Sequence, residues 1–216
     1  MHSTYLLPIK CSHLPKAYFM TTILRLDTSI KGRNSVSRKL TDKILAHLTA
    51  HHPDATIIDR DTSVGLTQID GTWVGAANTP VDARTADQAA ALALSDTLIA
   101  ELKSADVIVI GAPVYNFGIT GPLKNWIDQV ARVNETFIYG ATGPVGMVKH
   151  NPRVIVAYAS GGVPMGSGYD MATPYIRQVL GFIGITNIEF VAAEGASVDE
   201  AAAIARADVQ IAALAA

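Results

Sequence analysis

Residues 106–113 of this chain read Asp-Val-Ile-Val-Ile-Gly-Ala-Pro. A strand with one wet face alternates apolar and polar residues, because successive side chains point to opposite faces. This run does not alternate, so both faces of its pleat must be covered, which is the signature of a strand inside a parallel sheet. Parallel neighbours need long crossovers, usually helices. The rest of the chain supplies them. Strands are expected at Ile23–Ser29, Ala55–Asp59, Val154–Ala159 and Ile188–Ala193, and helical spacing of apolar residues runs through Val36–His51. Thr85 and Gln88 form a capping box that opens a helix to about Lys103. Thr120–Arg132 and Thr173–Phe182 read as helices with proline in the first turn. Ser197 and Glu200 read as a second capping box before an alanine-rich helix to about Leu214. Asp61–Thr85 reads as one long loop, a length that usually signals function. The expectation is an α/β fold: a doubly wound, five-stranded parallel sheet of order 2-1-3-4-5 with helices on both faces.

Composition removes several classes of function. Of the 216 residues, 49% are hydrophobic and 17% charged, which excludes intrinsic disorder of the whole chain. The net charge of -2, without any run of like charges, argues against nucleic acid and anionic membranes as partners. The single cysteine, Cys11, excludes an intramolecular disulfide and a thiolate zinc site, and fits a reducing, cytoplasmic setting. His47 and His51 share a helix face, but no acidic residue falls at zinc-binding spacing, so they read as a solvated helix end and no metal is expected. Residues 1–19 hold only a short apolar stretch, Tyr5–Ile9, broken by Pro8, too little for a signal-peptide core. They read as an N-terminal extension, disordered or loosely packed, before a domain spanning residues 20–216, with Met20 a candidate natural start.

In a doubly wound sheet of this order, ligands bind outside the carboxyl ends of the strands, where strands 1 and 3 diverge. The loops after strands one, three and four are therefore the ones to inspect. The first carries Ser29, Ser35, Val36 and Ser37 and runs into a helix. It has neither the P-loop pattern nor GxGxxG. Its hydroxyls and free helix-end amides suit a phosphomonoester, or else Ser35 is an ordinary cap. The second, Pro113-Val114-Tyr115-Asn116-Phe117, sets two aromatics and an amide at the end of the buried strand. They would flank a flat ring, or else cover the top of the core. The third, Ala159-Ser160-Gly161-Gly162, lets backbone approach a planar ligand, or is a plain turn. Together the three loops point to a phosphate joined to a flat heteroaromatic ring, and FMN is the natural candidate.

Pro113–Phe117 (PVYNF), Leu123–Asp128 (LKNWID), Val130–Arg132 (VAR), Thr136–Tyr139 (TFIY) with Gly143-Pro144, and Gly181–Ile185 (GFIGI) form a linked set of motifs. On these the chain from Met20 onward resembles the FMN-dependent NADH-azoreductase family, also called FMN-dependent NADH:quinone oxidoreductases, which is flavodoxin-like. The resemblance implies that Ser29 and Ser35-Val36-Ser37 hold the FMN phosphate. It implies that Pro113 and Val114–Phe117 border the isoalloxazine ring and that Ala159–Gly162 meet its other edge. It also implies a homodimer in which Phe137 and Phe182 line substrate pockets. Where this chain has Val114 the family often has Met, and where it has Ala159-Ser160 the family often has Ser-Arg.

The implied reaction is a two-electron hydride transfer from NADH through one FMN per subunit to a quinone or an aromatic azo compound, in two half-reactions. The flavin carries the chemistry, so no catalytic side chain is required. A non-enzymatic flavodoxin-type electron carrier and an NAD(P)H-dependent FMN reductase are the alternatives. The near-neutral charge and the long loop at 61–85 weigh against a carrier that docks by charge.

Overall fold

The computed structural model describes residues 20–64 and 66–215. The expectations for residues 1–19, including the placement of Cys11, lie outside the described residues.

The run that does not alternate forms β3 (Val107–Pro113), buried along its whole length. Its neighbours are β1 (Thr22–Asp27) and β6 (Arg153–Ala159), with β2 (Thr56–Asp61) and β7 (Ile188–Ala193) at the edges. All four pairings are parallel, and the order is β2-β1-β3-β6-β7. This is the expected 2-1-3-4-5 topology, renumbered because a two-stranded hairpin intervenes in the chain: β4 (Phe137–Gly140) and β5 (Gly143–Gly146), paired antiparallel.

The period of two in β3 explains how one strand serves two cores. Val107 and Val109 face α1 (Val36–His51) and α6 (Glu200–Ala212), packing with Leu40, Ile44, Ala203 and Ala207. Ile108 and Ile110 face the opposite way and join Leu98, Leu102, Trp126 and Ile176, which come from α3 (Ala86–Ser104), α4 (Gly121–Val130) and α5 (Ala172–Phe182). Both predicted N-termini of α3 and α4 stand: Thr85 and Gln88 close a full capping box, and Thr120 caps α4 by accepting from the Leu123 amide.

Two expectations are corrected. The stretch 61–85 is not one irregular loop. It contains α2 (Gly71–Ala77) and a single 3₁₀ turn at Val81–Ala83. Asp70 caps α2, and Trp73, Ala76 and Ala77 bury its inner face against Leu92 of α3. Gly71 and Gly75 lower its intrinsic helicity, and the helix forms because that packing overrides propensity. The second correction is the start of α6. Its cap is Asp199, which accepts from the Ala202 amide, and not Ser197.

Candidate functional site

The carboxyl ends of β1, β3, β6 and β7 surround one cleft, with an empty volume of about 540 Å³. Its lining brings together Ser29, Ser35, Val36, Ser37, Pro113, Val114, Tyr115, Ala159, Ser160 and Gly161. Lys31, Asn34, Ala196, Ser197 and Glu200 complete the wall; the sequence does not mark them as site residues, and Ser197 and Glu200 read there only as a capping box.

The first wall begins where β1 ends. Thr28 is buried and donates its hydroxyl to the Gly111 carbonyl at 2.6 Å, while the Thr120 hydroxyl donates to the Thr28 carbonyl at 3.2 Å. These bonds fix the exit of the chain toward Ser29. A short 3₁₀ turn, Gly32–Asn34, then delivers Ser35 to the N-cap of α1. Its hydroxyl accepts weakly from the Arg38 amide at 3.4 Å and lies 3.0 Å from the Ser37 hydroxyl. The first amides of a helix have no partner within it. Here they open beside a cluster of hydroxyls, and the helix dipole favours an anion at that spot.

The opposite end of the cleft is flatter and more apolar. The Val114 amide donates to the Ala159 carbonyl at 2.8 Å, which carries the sheet ladder one residue past Pro113. The chain then reverses in a tight turn: the Tyr115 and Gly118 amides each donate to the other's carbonyl, at 3.0 and 3.1 Å. Asn116 and Phe117, the two central residues, have φ of 49° and 73°. Positive φ at both central positions defines a type I′ turn, which normally asks for Asn-Gly. A phenylalanine there is strained, and such strain concentrates at functional sites. The turn projects Asn116 and Phe117 into solvent beyond the cleft, with Phe117 53% exposed and its ring 6.1 Å from that of Tyr169. The Tyr115 hydroxyl points back and lies 3.3 Å from the Ser29 hydroxyl, so the two ends of the cleft touch.

The third wall is a pair of loops stitched together. The Ser160 amide donates to the Ala193 carbonyl at 3.1 Å, and the Ala196 amide donates to the Ser160 carbonyl at 3.0 Å. The Ser197 hydroxyl and amide both donate to the Gly161 carbonyl, at 2.5 and 3.2 Å. This explains why Ser197 does not cap α6. A Cβ on Gly161 would already touch the Ser197 side chain at 3.4 Å. Gly162 is exposed and lies outside the lining. Glu200 closes the wall and bonds Lys39 of α1 at 2.5 Å, so an ion pair bridges the two helices.

Phe137 and Phe182 are not at this cleft. Their rings lie 4.5 Å apart, and Phe137 also meets Tyr139 edge-on at 5.6 Å, at the base of the hairpin.

Behind the first wall sits a charged cluster that the sequence reading passed over. Asp27 is buried at the end of β1, where its carboxylate accepts from the Thr41 hydroxyl at 2.8 Å and pairs with Arg25 at 3.0 Å and Arg38 at 3.5 Å. Burial pushes its pKa up, although Thr41 and both arginines pull the other way. Asp61 behaves oppositely. Burial is again the largest influence, but the bonds from Arg38 and Ser63 together outweigh it and hold the carboxyl at about 2. The available signal was a charged pair, Arg25 and Asp27, inside an otherwise apolar strand. Among the described residues no group of three or more His, Cys, Asp or Glu side chains is placed to hold a metal.

Comparison with known proteins gives a consistent answer. Residues 21–215 match the family described as flavodoxin-like fold. An FMN-dependent NADH:quinone oxidoreductase of Cereibacter sphaeroides (strain KD131 / KCTC 12085) is 51% identical over 197 residues, 91% of this chain and 100% of that protein. FMN-dependent NADH:quinone oxidoreductase 1 of Jannaschia sp. (strain CCS1) is 51% identical with the same coverage. Among solved structures, an FMN-dependent NADH-azoreductase from Bacillus anthracis str. Ames Ancestor in complex with FMN superposes with a TM-score of 0.80 at 26% identity. That match covers 89% of this chain and 96% of the other.

Proposed function

This chain belongs to the family of flavodoxin-like fold, and from that membership we propose that it is an FMN-dependent NADH:quinone oxidoreductase that also cleaves aromatic azo compounds reductively. The observation that carries the reading is the two-ended cleft. One end offers the Ser29, Ser35 and Ser37 hydroxyls and helix-end amides, a donor set that fits a phosphate. The other offers the apolar edge of Pro113, Val114 and Tyr115 facing Ala159–Gly161, a fit for a flat ring.

Bound FMN would supply the redox chemistry: two electrons from one NADH, with a solvent proton, for a quinone, and two such turnovers, four electrons in all, to cleave an azo bond into two amines. The chain's own residues bind and orient. On this reading the serines and α1 amides hold the phosphate, and Lys31 adds a positive charge at the same end. Pro113–Tyr115 set the ring plane. Asn116 and Phe117, held outside the lining by their turn, border the exposed edge of the ring where the acceptor arrives. Ala159–Gly161 bound the far edge, with Gly162 outside it and the Ser160 hydroxyl turned away to the Val163 carbonyl at 2.5 Å.

The protein is further read as a homodimer. Ile138, Tyr139 and Val145 of the hairpin are exposed apolar side chains, which favours a covered face. Phe137 and Phe182 would then serve the acceptor pocket across the interface. A cytoplasmic location goes with the lone cysteine; among the described residues no helix is long and apolar enough to cross a membrane.

The test is direct. The purified protein should be yellow, bleach with NADH and recolour with menadione or a simple azo dye. Protein that neither carries nor takes up FMN overturns the reading. Bleaching without catalytic turnover of any acceptor would make it a carrier.

A further inference from the structure

Arg38 lies in the first turn of α1 and is not part of the cleft lining. Its guanidinium nevertheless gathers three segments. Nη2 donates to the Ser29 carbonyl at 3.0 Å, to Asp61 Oδ1 at 2.8 Å and to the Ser63 hydroxyl at 3.0 Å. Nη1 lies 3.5 Å from Asp27 Oδ2. The end of β1, the loop that follows it and the end of β2 with the residues just beyond it therefore share one side chain. Asp27 is in turn held by Arg25 and Thr41.

Stability is a poor explanation for this arrangement. Buried ion pairs contribute little net, because desolvation offsets attraction. The Nε atoms of both Arg25 and Arg38 are buried without a hydrogen-bond partner. What the fork does achieve is orientation. Pinning the Ser29 carbonyl fixes the peptide plane after Ser29 and hence its ψ. The Tyr115 hydroxyl, 3.3 Å away, marks where the Ser29 hydroxyl then lies.

We infer that Arg38 is a positioning residue for the phosphate end of the cleft, acting through the Ser29 carbonyl to aim the Ser29 hydroxyl and the α1 amides at the ligand's phosphate. The inference rests on the FMN reading above. Lysine cannot replace the residue, since a single ammonium cannot reproduce a planar fork that spans several oxygens.

Riboflavin separates positioning from general damage, because it shares the ring and ribityl chain of FMN and lacks the phosphate. Dissociation constants for both would be measured by flavin fluorescence on wild type, Arg38→Gln and Arg38→Lys, alongside thermal unfolding of each apoprotein. The expected result is that both variants lose about tenfold or more in FMN affinity, the scale of one hydrogen bond to a charged group. Riboflavin affinity should stay within about twofold, well below one such bond. Equal losses for the two ligands, or an FMN preference retained in Arg38→Lys, overturn the inference and leave the FMN reading standing. Wild type without an FMN preference overturns both. Should the Arg38 variants not fold, Asp61→Asn loosens the same fork from its solvent side. It should lower the FMN preference without lowering riboflavin affinity, and an unchanged preference overturns the inference.

Discussion

Gly146 and Gly184 meet backbone to backbone where the β4–β5 hairpin docks on the end of α5. A Cβ on Gly146 would fall onto the amide nitrogen and Cα of Gly184 and the carbonyl carbon of Ile183. Gly184 itself sits at φ +104°, a conformation that side chains disfavour. Just beyond the contact, the Val148 amide donates to the Ile183 carbonyl at 3.0 Å. The two glycines thus let a hairpin lie directly on a helix terminus.

Gly146→Ala should therefore destabilise the protein by about 1–3 kcal/mol or more, the usual cost of overpacking where backbone cannot yield. Gly75→Ala in α2 is the matched control. Nothing lies within 4 Å of its Cβ position, and alanine there should stabilise by about 0.5–1 kcal/mol. Urea midpoints of the two variants should move in opposite directions at similar slope. A Gly146→Ala midpoint equal to wild type would show that the hairpin can shift away.

Phe117→Gly should leave the fold slightly more stable. The left-handed conformation costs a non-glycine residue about 1–2 kcal/mol, and glycine's extra chain entropy returns only about 0.5–1 kcal/mol of that. The ring is half exposed, so little burial is lost. Stability rising while quinone turnover falls would show strain maintained for the acceptor side of the site. Falling stability would contradict the strain argument.

Asn116 separates backbone from side chain. Asparagine tolerates positive φ and alanine does not, so Asn116→Ala should lose stability by about 1 kcal/mol through the turn alone. Asn116→Gly keeps the turn. If the amide borders the ring, both variants should release FMN faster than wild type on dilution. If only the alanine variant does, the residue serves the turn and nothing else.

Tyr158 predicts an alkaline limit. It is fully buried, and burial, with Asp170 and Glu194 nearby, pushes its pKa from 10.0 up to about 12. The neutral form is favoured in the folded protein, so its contribution is intact below pH 10 and is lost as pH rises toward about 12. Tyr158→Phe loses the bond to the Val163 carbonyl, at a cost of about 1 kcal/mol, but that carbonyl keeps Ser160. The variant should show a flatter decline of stability between pH 10 and 12 than wild type. Parallel declines would place the alkaline sensitivity elsewhere.

Glu200→Gln should tighten FMN binding. Glu200 lines a cleft read as holding a phosphate, and its partner Lys39 is partly exposed. Removing the carboxylate deletes a repulsion and releases the lysine's charge toward the anion. A gain of a few-fold matches about 1 kcal/mol between charges in water. Global stability should move by less than about 1 kcal/mol, since exposed pairs contribute little. Raising ionic strength should erase the gain. Weaker binding would mean that the carboxylate itself accepts a hydrogen bond from the ligand.

The sequence made the sheet legible because β3 carries an unbroken apolar run, and a parallel sheet leaves few topologies. From there the strand-order rule picked the loops at Ser29, Pro113 and Ala159, and the structure sets all three around one cleft. What escaped depended on partners distant in the chain. Ser197 and Glu200 satisfy the spacing of a capping box. Only the pairing of Ala159 with Ala193 brings Ser197 beside Gly161, and only helix packing brings Glu200 beside Lys39. The hairpin escaped because its strands are four residues each and glycine-rich, too short for period-two patterning to register. The resemblance names Phe137 and Phe182 together as pocket residues, but that the two rings meet each other depends on a contact spanning the hairpin and α5.

The strand ends lie level across the sheet: Asp27 beside Gly111, Pro113 beside Ala159, Ala159 beside Ala193. Each loop around the cleft leaves its own strand within a residue or two of that line, and the ladder beneath is complete without it. The arrangement makes the loops interchangeable parts on a common base plate. A lineage can rewrite the turn at Asn116-Phe117 or exchange Ser160 without reopening the problem of folding. On the proposed reading, acceptor preference is set by the loops and the architecture by the sheet beneath them.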